Sequence, residues 1–233
     1  MSNKYRLIFS CVVAAILLLP ASASAEWGSD CTNHTPHCYA LAQWNMGNES
    51  EKIEGLESNI DTTSMYVGDW DLGGENFVSN EQWAGFPADN GNWVEDGQMA
   101  GGPTGSTNVM DWFWALKNNT GLYVIALPTG REEGYAWNNY KLISEGNGSW
   151  CAVVNGTTET CGMEDEPSTS KRVTVGMEAA SETEPENYGK DQTWVEWTNG
   201  TWHHWNEAKW ITESHTCASL YEWIAGNINF STC

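Results

Sequence analysis

The sequence predicts an all-β fold, an antiparallel β-sandwich, on three observations. Short apolar runs rich in Val, Trp, Tyr and Thr recur about every ten residues, the spacing of sandwich strands. Gly, Asn, Ser and Thr punctuate those runs throughout, with no internal repeat and no long linker. Several runs also alternate with the period of two that a strand imposes. In 172–179, Val173, Val175 and Met177 fall on one face and Thr174, Gly176 and Glu178 on the other.

In chain order, strands are expected at 39–44, 65–70, 92–98, 111–116, 122–127, 139–143, 150–154, 172–179, 193–198 and 209–212, with one short helix at 218–224 near the C-terminus. The acidic stretches 159–166 and 181–191 are expected as surface loops. In 92–99, Trp93, Glu95, Gly97 and Met99 share a face. A carboxylate among residues that otherwise look inward is unusual, because a charge is rarely buried without a partner. Trp112 and Trp114 are expected on one face of their strand, with Asp111 and Phe113 on the other.

The first 25 residues have the layout of a secretory signal. Lys4 and Arg6 precede an apolar run from Leu7 to Leu19, Pro20 ends it, and Ala21-Ser22-Ala23-Ser24-Ala25 supplies an A-x-A cleavage site. The run is shorter than the roughly 20 residues that span a bilayer. Export, cleavage after Ala25 and one sandwich domain over 26–233 are therefore expected, with no membrane association after cleavage. Beyond Ala25 stand eight basic residues against 31 acidic ones, a formal charge of −23. Such a field repels nucleic acid and anionic membranes, which leaves an extracellular protein or polysaccharide as the expected substrate. Oligomeric state is not legible.

Six cysteines remain after the leader: Cys31, Cys38, Cys151, Cys161, Cys217 and Cys233. An even count in an exported chain predicts three disulfides; of the 15 connectivities that six cysteines allow, the local pairs Cys31–Cys38, Cys151–Cys161 and Cys217–Cys233 are the favoured set. The segment C-x-x-H-x-x-H-C, with His34 and His37, has zinc-ligand types but lacks a third ligand once its cysteines are oxidised. The acidic loops match no calcium-loop spacing. Neither metal nor cofactor is expected.

Fifteen tryptophans exceed what most small domains carry. Most must fill the core, each ring burying about 150–250 Å². Trp202 and Trp205, flanking His203-His204, are the candidates for an exposed pair that stacks on sugar rings, which would make the chain a non-catalytic glycan-binding module.

For catalysis, no G-x-S-x-G elbow occurs, and oxidised cysteines offer no nucleophile. The remaining candidates are glutamates on expected strands: Glu81, Glu95, Glu178 and Glu196. The ordered segments F-V-S-N-E-Q-W (77–83), W-V-E-D-G (93–97), W-F-W-A (112–115), G-S-W-C-A-V-V-N-G (148–156) and G-M-E (176–178) resemble exported bacterial proteins of concanavalin-like, jelly-roll-type sandwich fold. The same order is similar to the catalytic domain of neprosin-type glutamic peptidases. That resemblance implies Glu95 and Glu178 as a catalytic pair in a secreted acid hydrolase. The chain departs from the family at Asp96, at Gln98 where the family has Trp, and at Met177 where it has Gly.

Overall fold

Alternation at 172–180 and at 93–101 is what organises the molecule, because each segment turns one set of side chains toward a second sheet. A computed structural model describes residues 38–45, 53–67, 76–86, 92–101, 110–118, 121–132, 136–162, 167–180, 186–197, 200–205, 209–211, 219–224 and 227–231. The strands are β1 (Cys38–Asn45), β2 (Ile53–Tyr66), β3 (Phe77–Gly85), β4 (Trp93–Gly101), β5 (Met110–Asn118), β6 (Gly121–Glu132), β7 (Ala136–Ser144), β8 (Trp150–Val154), β9 (Thr157–Gly162), β10 (Arg172–Ala180), β11 (Glu186–Trp197), β12 (Trp202–His204), β13 (Lys209–Ile211), β14 (Ser219–Ile224) and β15 (Asn227–Ser231). They form two antiparallel sheets, ordered β13-β1-β10-β3-β4-β5-β6 and β14-β15-β11-β2-β7-β8-β9, with β12 paired to β11. The expected all-β sandwich is the observed fold.

The core lies between the sheets. Val173, Val175, Met177 and Ala179 of β10, Val94 and Ala100 of β4, and Trp112, Trp114 and Leu116 of β5 meet Leu56, Ile60, Tyr140, Leu142, Trp150 and Val154 of the second sheet. Trp112 meets Tyr140 edge-on at 6.4 Å, and Phe86 meets Trp150 at 5.4 Å. Such pairs add about 0.5–1.5 kcal/mol beyond the area they bury. Trp112 and Trp114 thus share the inter-sheet face, whereas Phe113 packs on the opposite side.

The β8–β9 hairpin closes through Asn155 (φ 49°) and Gly156 (φ 80°). Both sit in the left-handed region that an Asn-Gly hairpin turn requires. The turn sets Cys151 opposite Cys161, and the two form a disulfide. Cys38 opens β1, while Cys31, Cys217, Cys233, His34, His37 and the leader lie outside the described residues.

Three expectations are corrected. The segment expected as a helix at 218–224 is strand β14 over 219–224, paired with β15. Tyr, Trp and Ile favour strands, and only Ala225 and Gly226 separate the segment from its partner. The acidic stretches are not simply loops: 159–162 belongs to β9 and 186–191 to β11. Of the strand expected at 65–70, Met65 and Tyr66 are the end of β2, which begins at Ile53, and 68–70 lie outside the described residues.

Candidate active site

Strand pairing sets residues of neighbouring strands in rows across the first sheet, on the face turned away from the second. Four rows matter, taken from β1 toward β6. The first holds Tyr39, Glu178, Ser79 and Met99. Next come Leu41, Gly176, Glu81, Gly97 and Phe113, then Gln43, Thr174, Trp83, Glu95 and Ala115. The last holds Arg172, Gly85, Trp93, Lys117 and Leu122. Successive rows stand about 6.8 Å apart, two residues at about 3.4 Å each.

Glu178 and Glu95, about eighty residues apart in sequence, therefore fall on strands that flank β3, diagonally across it. Between them Glu81 stands on β3 itself, with glycine on both sides in its row: Gly176 on β10 and Gly97 on β4. Those glycines leave space for three long carboxylate side chains to converge. At Gly97 the space is fully used, since a Cβ there would stand 2.2 Å from the Asn80 carbonyl oxygen and 2.9 Å from the Glu81 Cβ. One carboxylate oxygen from each of Glu81, Glu95 and Glu178 lies within 4.8 Å of the other two. The three are 0 %, 6 % and 8 % exposed.

Burial dominates the electrostatics. Glu81 is pushed well above the ordinary value of 4.5, first by burial, then by the charges of Glu95 and Glu178, with the Ser79 hydroxyl opposing. Neither Glu81 oxygen has a hydrogen-bond partner of good geometry. Glu95 is raised by burial and then by Glu178, against a hydrogen bond from Trp83, its neighbour across the β3–β4 ladder. Burial and neighbouring charge thus both favour the protonated forms of Glu81 and Glu95. The Tyr39 phenol is raised by burial and by Glu178, to which it hydrogen-bonds. The three oxygens also offer the ligand type a divalent cation takes.

A groove of about 640 Å³ runs over this face, lined by Tyr39, Leu41, Trp83, Trp93 and Glu178 and, at its other end, by Arg172 and Lys117. Glu178 is the member of the trio that lines it. Asp96 and Gln98, the departures next to Glu95, belong to the opposite face of β4. Gln82 Nε2 donates to Asp96 Oδ1 at 2.8 Å, and burial raises the Asp96 carboxyl. They do not enter the groove.

The other sequence candidates lie apart. Glu196 is on β11 of the second sheet, raised by burial and Glu54 and lowered by Lys141. Trp205 is 2 % exposed and sits in the core, so its ring presents no face to a sugar. Trp202 is half-buried with Lys141 Nζ 4.8 Å from its ring centre. The two form no exposed pair. The residues that sequence reasoning underweighted are Glu81 and Trp83; the run Ser79-Asn80-Glu81-Gln82 has no apolar alternation, and only four adjacent polar residues in an otherwise strand-like stretch mark it.

Three solved structures align over 85 % of this chain and 99 % of their own. Scytalido-glutamic peptidase with a transition state analog inhibitor matches at TM-score 0.57 and 8 % identity. The same peptidase with a peptide-based transition state analog matches at 0.54 and 10 %. SCP-B, of the eqolisin family of peptidases, in complex with the tripeptide Ala-Ile-His, matches at 0.51 and 9 %. The fold resembles that of the eqolisin glutamic peptidases; at these identities the likeness is one of fold. No protein-family model matches the chain, and no curated protein matches its sequence.

Proposed function

We propose that the chain is an exported acid hydrolase of glutamic-peptidase type, in which Glu95 and Glu178 cleave peptide bonds of an extracellular protein without a cofactor. The observation that carries this reading is the convergence of three buried glutamates within 4.8 Å beside an open groove. Glu178, on the groove wall and oriented by Tyr39, serves as general base. Glu95, which burial and Glu178 keep protonated, serves as general acid, held by the Trp83 indole.

The step balances without a metal. Glu178 takes one proton from water while the water oxygen bonds to the scissile carbonyl carbon. Glu95 gives its proton to the developing oxyanion, which supplies the stabilisation that acyl transfer needs. On collapse that proton returns to Glu95, the C–N bond breaks, and the amine leaves with the proton held by Glu178. Glu81, wholly buried between them, holds its proton more tightly than an ordinary carboxyl. The cycle needs the proton on Glu95, so activity is lost as pH rises through the raised Glu95 value and is expected to peak below neutrality.

Cleavage of an unfolded protein across pH, by the purified chain and by E95Q and E178Q, tests this reading. An acid optimum that either substitution abolishes, with far-UV and near-UV circular dichroism unchanged, supports it. Absence of cleavage at every pH, or full activity in both variants, refutes it. A second reading, binding of a sugar ring, is favoured by Trp93 and Trp83 on the groove wall. An inverting glycosidase would need carboxyls about 6.5–9.5 Å apart, which the trio does not offer. Tryptophan fluorescence against a polysaccharide panel separates binding from peptidase action.

A further inference from the structure

The groove is electrostatically lopsided. Glu178 lines one end, and at the other Arg172 and Lys117 fall in a single row with Trp93 between them. Only eight basic residues stand beyond Ala25, so finding two on one groove wall of a strongly acidic chain calls for a cause.

Arg172 is held in place. Its backbone N–H donates to Ser170 Oγ at 3.2 Å, and Ser170 Oγ lies 2.7 Å from the carbonyl oxygens of both Gly85 and Arg172. Its side chain crosses Gly85 so closely that a Cβ there would stand 2.5 Å from Arg172 Nε. The glycine thus lets the guanidinium lie across the sheet toward Trp93. Among the described residues, neither Arg172 nor Lys117 forms an ion pair. A guanidinium in a groove, with no carboxylate paired to it among the described residues, is a ready receptor for one, because its planar donors match a carboxylate in pairs.

We infer that the Arg172–Lys117 row is a carboxylate-binding subsite of the groove, which makes the enzyme select substrates bearing a carboxylate two to four residues from the cleaved bond. The reach follows from the rows. Arg172 stands one row from Glu95 and two from Glu81, about 7–14 Å along the strands, or two to four residues of an extended peptide. The carboxylate is either an Asp or Glu side chain or the substrate's own C-terminus. The subsite rests on the peptidase reading only for the meaning of the bond cleaved, since binding alone reveals it.

The test is therefore a binding measurement, made on E178Q to prevent turnover. Four peptides share one neutral sequence and differ at one place: a Glu, the matching Gln, a free C-terminal carboxylate, or a C-terminal amide. Titration calorimetry at pH 5 is expected to show at least about tenfold tighter binding for a carboxylate peptide than for its amide partner, the equivalent of about 1.4 kcal/mol. The Glu/Gln pair and the acid/amide pair identify the source. Adding R172Q should bring the ratio close to one, R172E should invert it, and K141Q, on the second sheet, should leave it intact. Preference should also fade as pH drops through the peptide carboxylate's own titration. Equal binding of both members of both pairs, or a preference that survives R172Q with K117Q, overturns the subsite. Absent cleavage with a preserved, Arg172-dependent preference would sink the peptidase reading and leave the subsite standing.

Discussion

The two sheets each carry glutamates on their outward faces, but they treat them in opposite ways. On the second sheet Glu57 is half-buried, its Oε2 lies 3.0 Å from Lys141 Nζ, and its Oε1 accepts from Asn139 Nδ2 at 2.7 Å. On the first sheet Glu81 is fully buried and has two more carboxylates as neighbours instead of a cation. The same side chain on the same kind of strand is a satisfied surface charge in one place and an unpaired acid in the other. Burying a charge without a partner costs several kcal/mol, so such a group takes up a proton instead. Such a cluster beside a groove marks a candidate site for proton chemistry.

The largest expected effect comes from breaking the trio's chemistry while keeping its shape. E95Q and E178Q should each lower peptide cleavage about 10²–10⁴-fold, the usual worth of a positioned acid or base. E57Q on the other sheet should leave the rate within a factor of two, by roughly the scale of a neutral surface change. Initial rates on one unfolded substrate at the acid optimum decide it. A loss in E57Q equal to that in E95Q would erase the contrast between the sheets.

Next in size is the packing that lets the carboxyls meet. G97A places a methyl against the Asn80 carbonyl and the Glu81 stem, where backbone must move. Overpacking of this kind costs about 1–3 kcal/mol, read as a shift in urea midpoint. A midpoint equal to the parent's would show that the trio has slack around it.

Protonation gives a pH signature of definite sign. Glu81 and Glu95 hold protons more tightly folded than unfolded, so their favourable contribution is complete below the ordinary value of 4.5 and is lost as pH rises toward their raised values. Each unit of displacement is about 1.4 kcal/mol. E81Q should therefore stabilise the chain at pH 7 and change nothing at pH 4, as measured by urea unfolding at both. The smallest effect is expected at the paired glutamate. Breaking Glu57–Lys141 with K141Q should cost no more than about 1 kcal/mol, because both groups are partly in water.

Much of this architecture was legible before any coordinates, and the failures are physical. Arg172–Ala180 alternates cleanly, so its two faces were separable: Val173, Val175 and Met177 toward the core, Thr174 and Glu178 toward the groove. Trp93, Glu95 and Met99 do share a face of β4, but it is the outward one, buried without facing the second sheet. Period-two reasoning groups side chains and cannot say which group looks inward when both sides are covered, as they are along β3 and β4. The pairing of Glu95 with Glu178 came from a resemblance; nothing in residue spacing predicts which strands flank β3. Glu81 stayed in the background because its neighbours Asn80 and Gln82 are also polar and also buried. The helix expected at 218–224 failed because seven residues carry too little periodicity to separate a turn of helix from a strand.

The account's central claim is that burial and neighbouring carboxylates hold protons on Glu81 and Glu95 of the first sheet's outward face. Site-resolved NMR titration of the glutamate carboxyl carbons tests it most directly, on the parent chain and on E178Q. Glu81 and Glu95 should titrate well above the ordinary glutamate value of 4.5 in the parent. Removing the Glu178 charge should bring the Glu95 midpoint down, since that charge is the second cause of its rise. Midpoints for Glu81 and Glu95 at that ordinary value, unmoved in E178Q, would contradict the account.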